Sequence, residues 1–191
     1  RTALVELLPL SIGELRAASR LDAPYASHLV KGLLPAICSR DLEPHDWRQA
    51  YIVSHAERDA RQWAALQDLG AFQRFLKLLA ARTGLLLNML TLGNDAGVND
   101  KTVKHWLGIL ETCYPIHDVR PHSAHFGKRL IKMPKLYLTD VGLSAAPMGI
   151  QDETQVMAHP LRGALFKTMV LDELHKARCN AGLREPLAAL W

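Results

Sequence analysis

Apolar residues return at helical spacing along the middle of the chain. Phe72, Phe75, Leu76 and Leu79 recur at three- and four-residue intervals, which predicts a helix from about Leu69 to Thr83 with Gly84 as its stop. Val103, Trp106, Leu107 and Leu110 stand at i, i+3, i+4 and i+7, which predicts an inward face on a helix running from an Asn99 or Asp100 cap to about Cys113. Before it, Thr91 is positioned to cap a short helix containing Leu92, Asp95 and Ala96. Gly97-Val98-Asn99 makes the tight turn between the two, because Gly97 can take a backbone conformation that a Cβ resists. Two helices joined this way, the second with a polar and basic exterior, form a helix-turn-helix. Tyr114 to Val119 then reads as a strand and Pro134 to Thr139 as its return, with Gly127-Lys128-Arg129 near the tip. A hairpin in that place is a wing, so residues 69–139 read as a winged helix.

The flanks are less regular. Residues 2–8 read as a buried strand ended by Pro9, and Ser11 with Glu14 has the form of a capping box. Pro24, Gly32, Pro35 and Pro44 break residues 21–45 into short elements. Asp46 is a candidate cap for a helix to about Leu66, with Trp47, Tyr51, Ala56 and Trp63 on its apolar face and Glu57, Arg58, Asp59 and Arg61 as a solvated cluster. From Asp140, the punctuation by Gly142, Pro147 and Gly149 predicts loops. A last helix, about Ala164 to Cys179, is expected to bury Leu165, Phe166, Met169, Val170 and Leu174. The fold class is therefore α+β and mainly α-helical.

Composition narrows the picture. Of 191 residues, 49% are hydrophobic and 22% charged, the balance of a soluble globular chain. No apolar run approaches the ~18 residues that span a bilayer, so no membrane is expected. Cys38, Cys113 and Cys179 are odd in number and widely spaced, which predicts no disulfide framework and a reduced, cytoplasmic setting, each thiol serving as a small buried hydrophobe. The chain opens at Arg1 directly on an apolar run and ends within another, so it reads as part of a longer polypeptide.

Charge is uneven. Between Lys101 and Lys135 seven basic residues face two acids, a local charge of +5 against +4 for the whole chain, and four of the nine histidines fall there too. A localised basic field suits a polyanion partner. The candidate DNA-binding residues are Lys101, Thr102, Lys104 and His105 on the second helix, and Lys128, Arg129 and Lys132 on the wing. A protein-docking or structural role is the competing reading, since Asp100 and His105 dilute the positive face. No phosphate-cradling loop, dinucleotide fingerprint, zinc-ligand spacing or serine nucleophile elbow occurs, so neither catalysis nor a bound cofactor or metal is expected of this chain. Asp152-Glu153 and Asp172-Glu173 read as solvated surface acids.

Several ordered runs carry a resemblance. Phe72-Gln73-Arg74-Phe75-Leu76, Ala80-Ala81-Arg82-Thr83-Gly84, Thr102-Val103-Lys104-His105-Trp106-Leu107, Lys128-Arg129-Leu130-Ile131-Lys132, Asp140-Val141-Gly142-Leu143 and His159-Pro160-Leu161-Arg162-Gly163-Ala164-Leu165-Phe166 resemble the C-terminal part of bacterial and archaeal AAA-type ATP-binding proteins. That resemblance implies three parts. Residues 1–45 would be the end of an ATPase domain, 46–139 a helical connector and winged helix, and 140–191 the start of a restriction-endonuclease-like domain. It also implies ATP and Mg in the parent protein and its ATPase domain as a partner. A degenerate nuclease is the further alternative; there the family's usual acid after Phe166 is Lys167, which cannot hold a divalent cation. Gly93 stands where the family usually has alanine, at an expected cost of roughly 1 kcal/mol of helix propensity.

Overall fold

A computed structural model of the chain describes residues 7–21, 23–40, 42–51, 68–113, 116–121, 133–183 and 188–189. The fold is α+β and mainly helical. Among the described residues the helices are α1 (Ile12–Ala17), α2 (Tyr25–Lys31), α3 (Pro35–Ser39), α4 (Pro44–Tyr51), α5 (Leu69–Ala81), α6 (Met89–Ala96), α7 (Asp100–Cys113), α8 (Val141–Ala145), α9 (Glu153–Ala158) and α10 (Arg162–Asn180). The strands are β1 (Ile116–Pro121), β2 (Lys135–Leu138) and the two-residue β3 (Ala188–Ala189), in the order β2-β1-β3. β1 and β2 pair antiparallel, with Ile116 opposite Leu138 and Val119 opposite Lys135, while β3 runs parallel to β1.

Local chemistry explains most helix ends. Ser11 and Glu14 close the expected capping box. Asp68 caps α5 by accepting the Ala71 N–H at 2.8 Å. The cap of α6 is Asn88 rather than Thr91: its Oδ1 accepts the Thr91 N–H at 3.1 Å, so Thr91 lies inside the first turn. Gly97 is left-handed at φ 79°, and Val98 N–H donates to Gly93 O at 2.8 Å. That pairing back across the turn is a Schellman stop, which only a residue without a Cβ forms cheaply. Asn99 then caps α7, accepting the Thr102 N–H at 2.8 Å. α4 begins at Pro44, so Asp46 sits in its first turn instead of capping it.

Two apolar cores result. In the first, Phe72, Phe75, Leu76 and Leu79 of α5 meet Leu92 and Ala96 of α6, Val103, Trp106, Leu107 and Leu110 of α7, and Ile116, Leu136 and Leu138 of the sheet. In the second, Ala26, Leu29 and Val30 of α2 pack with Val141 and Ala145 of α8, Val156 of α9, and Leu165 and Met169 of α10. α8 belongs to both, because its Leu143 enters the first. The region after Asp140 is thus not loop. Its two short helices start where the carboxylates of Asp140 and Asp152 accept the N–H groups of Leu143 and Gln155.

Gly93 is a packing requirement. A Cβ there would lie 2.7 Å from Val98 O and 3.2 Å from Val103 Cγ2, closer than a backbone oxygen allows. Gly93→Ala should therefore destabilise the chain, although alanine gains roughly 1 kcal/mol in helix propensity. Chemical denaturation gives the sign, and a stabilised variant would refute the close approach of α6 to the turn.

Candidate functional site

The outward face of α7 is arranged as its periodicity predicts. Val103, Trp106, Leu107 and Leu110 are buried, and Lys101, Lys104 and His105 are exposed. Thr102 is half-buried, and its hydroxyl donates to Asn99 Oδ1 at 3.0 Å. It belongs first to the cap of α7, leaving only its oxygen lone pairs for a ligand. Asp100 adds one acid to the first turn. Lys128, Arg129 and Lys132 lie outside the described residues, as does the hairpin tip, whereas both flanking strands are present. The helix expected to reach Leu66 is described only to Tyr51, where Trp47 and Tyr51 stack at 5.1 Å. The strand expected over residues 2–8 also lies mostly outside the described part.

Beneath the sheet is a polar cluster that periodicity did not show. Asp172, expected on the surface, is 2% exposed. Its Oδ1 faces His117 Nε2 at 3.5 Å, and His117 in turn stacks against Tyr137 and lies 4.9 Å from the His175 ring. Burial pulls the His117 imidazole down to about 4, and repulsion from His175 adds to that. Burial also pushes the Asp172 carboxyl well above the usual range, against the pull of Lys176. With its value held at about 4, the His117 imidazole is neutral near pH 7 and contributes no charge to the basic field. Lys176 is also buried, donating to Leu10 O at 2.9 Å and to Glu173 Oε1 at 3.0 Å. These contacts tie β1, α10 and the segment before α1 together; the cluster's role is packing in a polar medium.

α10 consequently faces otherwise than expected. It buries Leu165, Thr168, Met169, Asp172 and Lys176 and leaves Phe166, Val170 and Leu174 exposed. Thr168 Oγ1 meets Thr83 Oγ1 at 2.9 Å, joining the helix to the end of α5. Cys38 and Cys179 are half-buried free thiols rather than core hydrophobes, and the side chain of Cys113 is outside the described set. Among the described residues no group of three His, Cys, Asp or Glu side chains is placed to hold a metal ion. None of the described helices is long and apolar enough to cross a membrane.

Comparison with known proteins identifies the family alone. The chain is 30% identical over 177 residues to the uncharacterised protein Mb2031c of Mycobacterium bovis and to the uncharacterised protein Rv2008c of Mycobacterium tuberculosis. The matched stretch covers 91% of this chain and 39% of each relative, so the chain spans well under half their length. No solved structure matches. Residues 23–154, which include α2 to α8 and the start of α9, match a domain of unknown function, DUF8612, and the chain belongs to that family.

Proposed function

We propose that this chain is a non-catalytic binding module that contacts duplex DNA through the outward face of α7, with the β1–β2 hairpin as the wing of a winged helix. The observation that carries the reading is the exposure of Lys101, Lys104 and His105 on the second helix of a tight helix–turn–helix whose opposite face is fully packed. A rigid helix with exposed cationic side chains can enter a major groove, with lysines on phosphates or guanine edges and His105 beside them. Lys128, Arg129 and Lys132 would add backbone contacts from the wing. The resemblance to AAA-type ATP-binding proteins extends the proposal to a longer protein, in which ATP and Mg would be held by an ATPase domain and this region would report or grip the DNA.

The test is fluorescence anisotropy with a short duplex at two salt concentrations. Binding should weaken steeply with salt, and Lys101→Ala with Lys104→Ala should lower the salt slope by about 2, one for each phosphate that is no longer neutralised. Thermal stability should be unchanged, because both side chains are exposed. Equal affinity in the double variant would remove α7 from the interface. Salt-independent binding would favour protein docking instead.

A further inference from the structure

The loop leaving α5 runs beside β2 as an extra ribbon. Gly84 N–H donates to Leu136 O at 2.7 Å, Leu136 N–H to Leu85 O at 3.3 Å, and Leu87 N–H to Pro134 O at 2.9 Å. The last two bonds flank an antiparallel bridge between Leu86 and Lys135. In such a bridge the opposed residues exchange no hydrogen bonds with each other, so the N–H and C=O of Leu86 point away from β2. Neither group is bonded among the described residues. The rim of the sheet therefore presents one donor and one acceptor on a single residue.

Large apolar side chains are exposed along this ribbon, at the start of α6 and just before β2. Leu85 is 51% exposed, Leu86 50%, Met89 38%, Leu90 64% and Met133 51%. Single exposed leucines are ordinary, but five such side chains beside an open backbone edge are the mark of an interface. Residues 84–94 carry no charge. Of the nearest cations, Arg82 pairs with Asp95 and Lys135 is half-buried.

We infer that this rim is a self-association surface on which a second copy of the chain pairs antiparallel, Leu86 against Leu86. A two-fold axis requires a patch complementary to itself. Leu86 meets that requirement, since the N–H of each copy donates to the C=O of the other, and the flanking leucines and methionines close over the pair. An uncharged ribbon also meets its own copy without bringing like charges together, which the lysine-bearing face of α7 would do. The inference is independent of the DNA reading, because pairing needs no nucleic acid and uses none of the α7 residues.

Sedimentation velocity of the whole chain without DNA, from about 1 to 100 µM, is the test, in the range typical of modest interfaces. The expected result is a concentration-dependent shift from one chain to two, weakened about tenfold or more in Leu86→Glu, because like charges then stand directly opposite. Leu86 is exposed, so circular dichroism and melting temperature of that variant should match the parent. In Leu86→Cys, mild oxidation should link two copies through the introduced thiols, since the hydrogen-bonded pair sets their Cα atoms about 5.5 Å apart, within disulfide reach. A chain that stays monomeric throughout overturns the inference and leaves the rim to the strand of another protein. A dimer unaffected by Leu86→Glu, or one whose introduced thiols do not cross-link, overturns it as well.

Discussion

Asp140→Ala should cost the chain about 3–5 kcal/mol, the range seen when one partner of a buried charged group is removed. The carboxylate is almost wholly buried and accepts the Leu33 N–H at 2.6 Å and the Leu143 N–H at 3.2 Å. It thereby joins the end of α2 to the start of α8, the helix shared by both cores. Gly32, at φ 65°, lies so close that a Cβ there would collide with the carboxyl group. The buried guanidinium of Arg48, which donates to Val30 O, attracts the same carboxylate. Alanine would strand the Leu33 N–H, leave the Leu143 N–H only its bond to the Asp140 backbone O at 3.0 Å, and remove the anion that Arg48 faces. At roughly 2–4 °C per kcal/mol for a chain of this size, melting should fall by about 6–20 °C. Asp140→Asn should cost less, since its amide keeps one acceptor. A loss under about 1 kcal/mol in the alanine variant would mean that the carboxyl does not anchor α8.

The pH dependence of this node has a definite sign. Burial raises the Asp140 carboxyl above its ordinary range, although the two N–H groups, Lys176 and Arg48 all pull it down. The folded chain then binds this proton more tightly than the unfolded one. The proton-linked stabilisation is present below the ordinary carboxyl value and is lost as pH rises through the folded value. His117 acts oppositely: held down at about 4, it withdraws stability as pH falls from 6.5 toward 4.

Legibility in the sequence followed the reach of the interactions. α5, α6 and α7 each bury one apolar stripe and expose the other side, so periodicity located them and their stop at Gly97. α10 defeated the same rule. Its apolar row Phe166, Val170 and Leu174 lies beside a second row that begins with Leu165 and Met169 and continues as Asp172 and Lys176. The second row is the buried one because His117, Glu173 and Leu10 O supply its polar partners. Those partners are remote: Asp140 meets Leu33 across 107 positions and Lys176 meets Leu10 across 166. No local pattern encodes such pairs. The candidate DNA face was readable for the complementary reason, since Lys101, Lys104 and His105 depend on their own helix alone. Gly93 looked like a weak helix residue because the oxygen that excludes its Cβ belongs to the turn beyond.

Trp106→Ala should destabilise by about 3–5 kcal/mol, as truncations of large buried aromatics do. The indole is 4% exposed and meets Phe72 edge-on at 5.2 Å and Phe75, tilted, at the same distance. Both phenylalanines are completely buried, so nothing nearby can move in from solvent to fill the space. The aromatic geometry adds about 0.5–1.5 kcal/mol per pair beyond area burial, which places the loss toward the upper end. Trp106→Phe should keep one edge contact and lose less. Denaturant titration of the three proteins gives the order, and an alanine variant as stable as the parent would put Trp106 on the wrong face of α7. On the DNA reading proposed above, the variant also separates two routes to weaker binding. Loss of Trp106 removes the floor on which α7 rests, so affinity and stability should fall together. Loss of Lys101 and Lys104 should lower affinity alone, because their side chains leave the opposite side of the same helix.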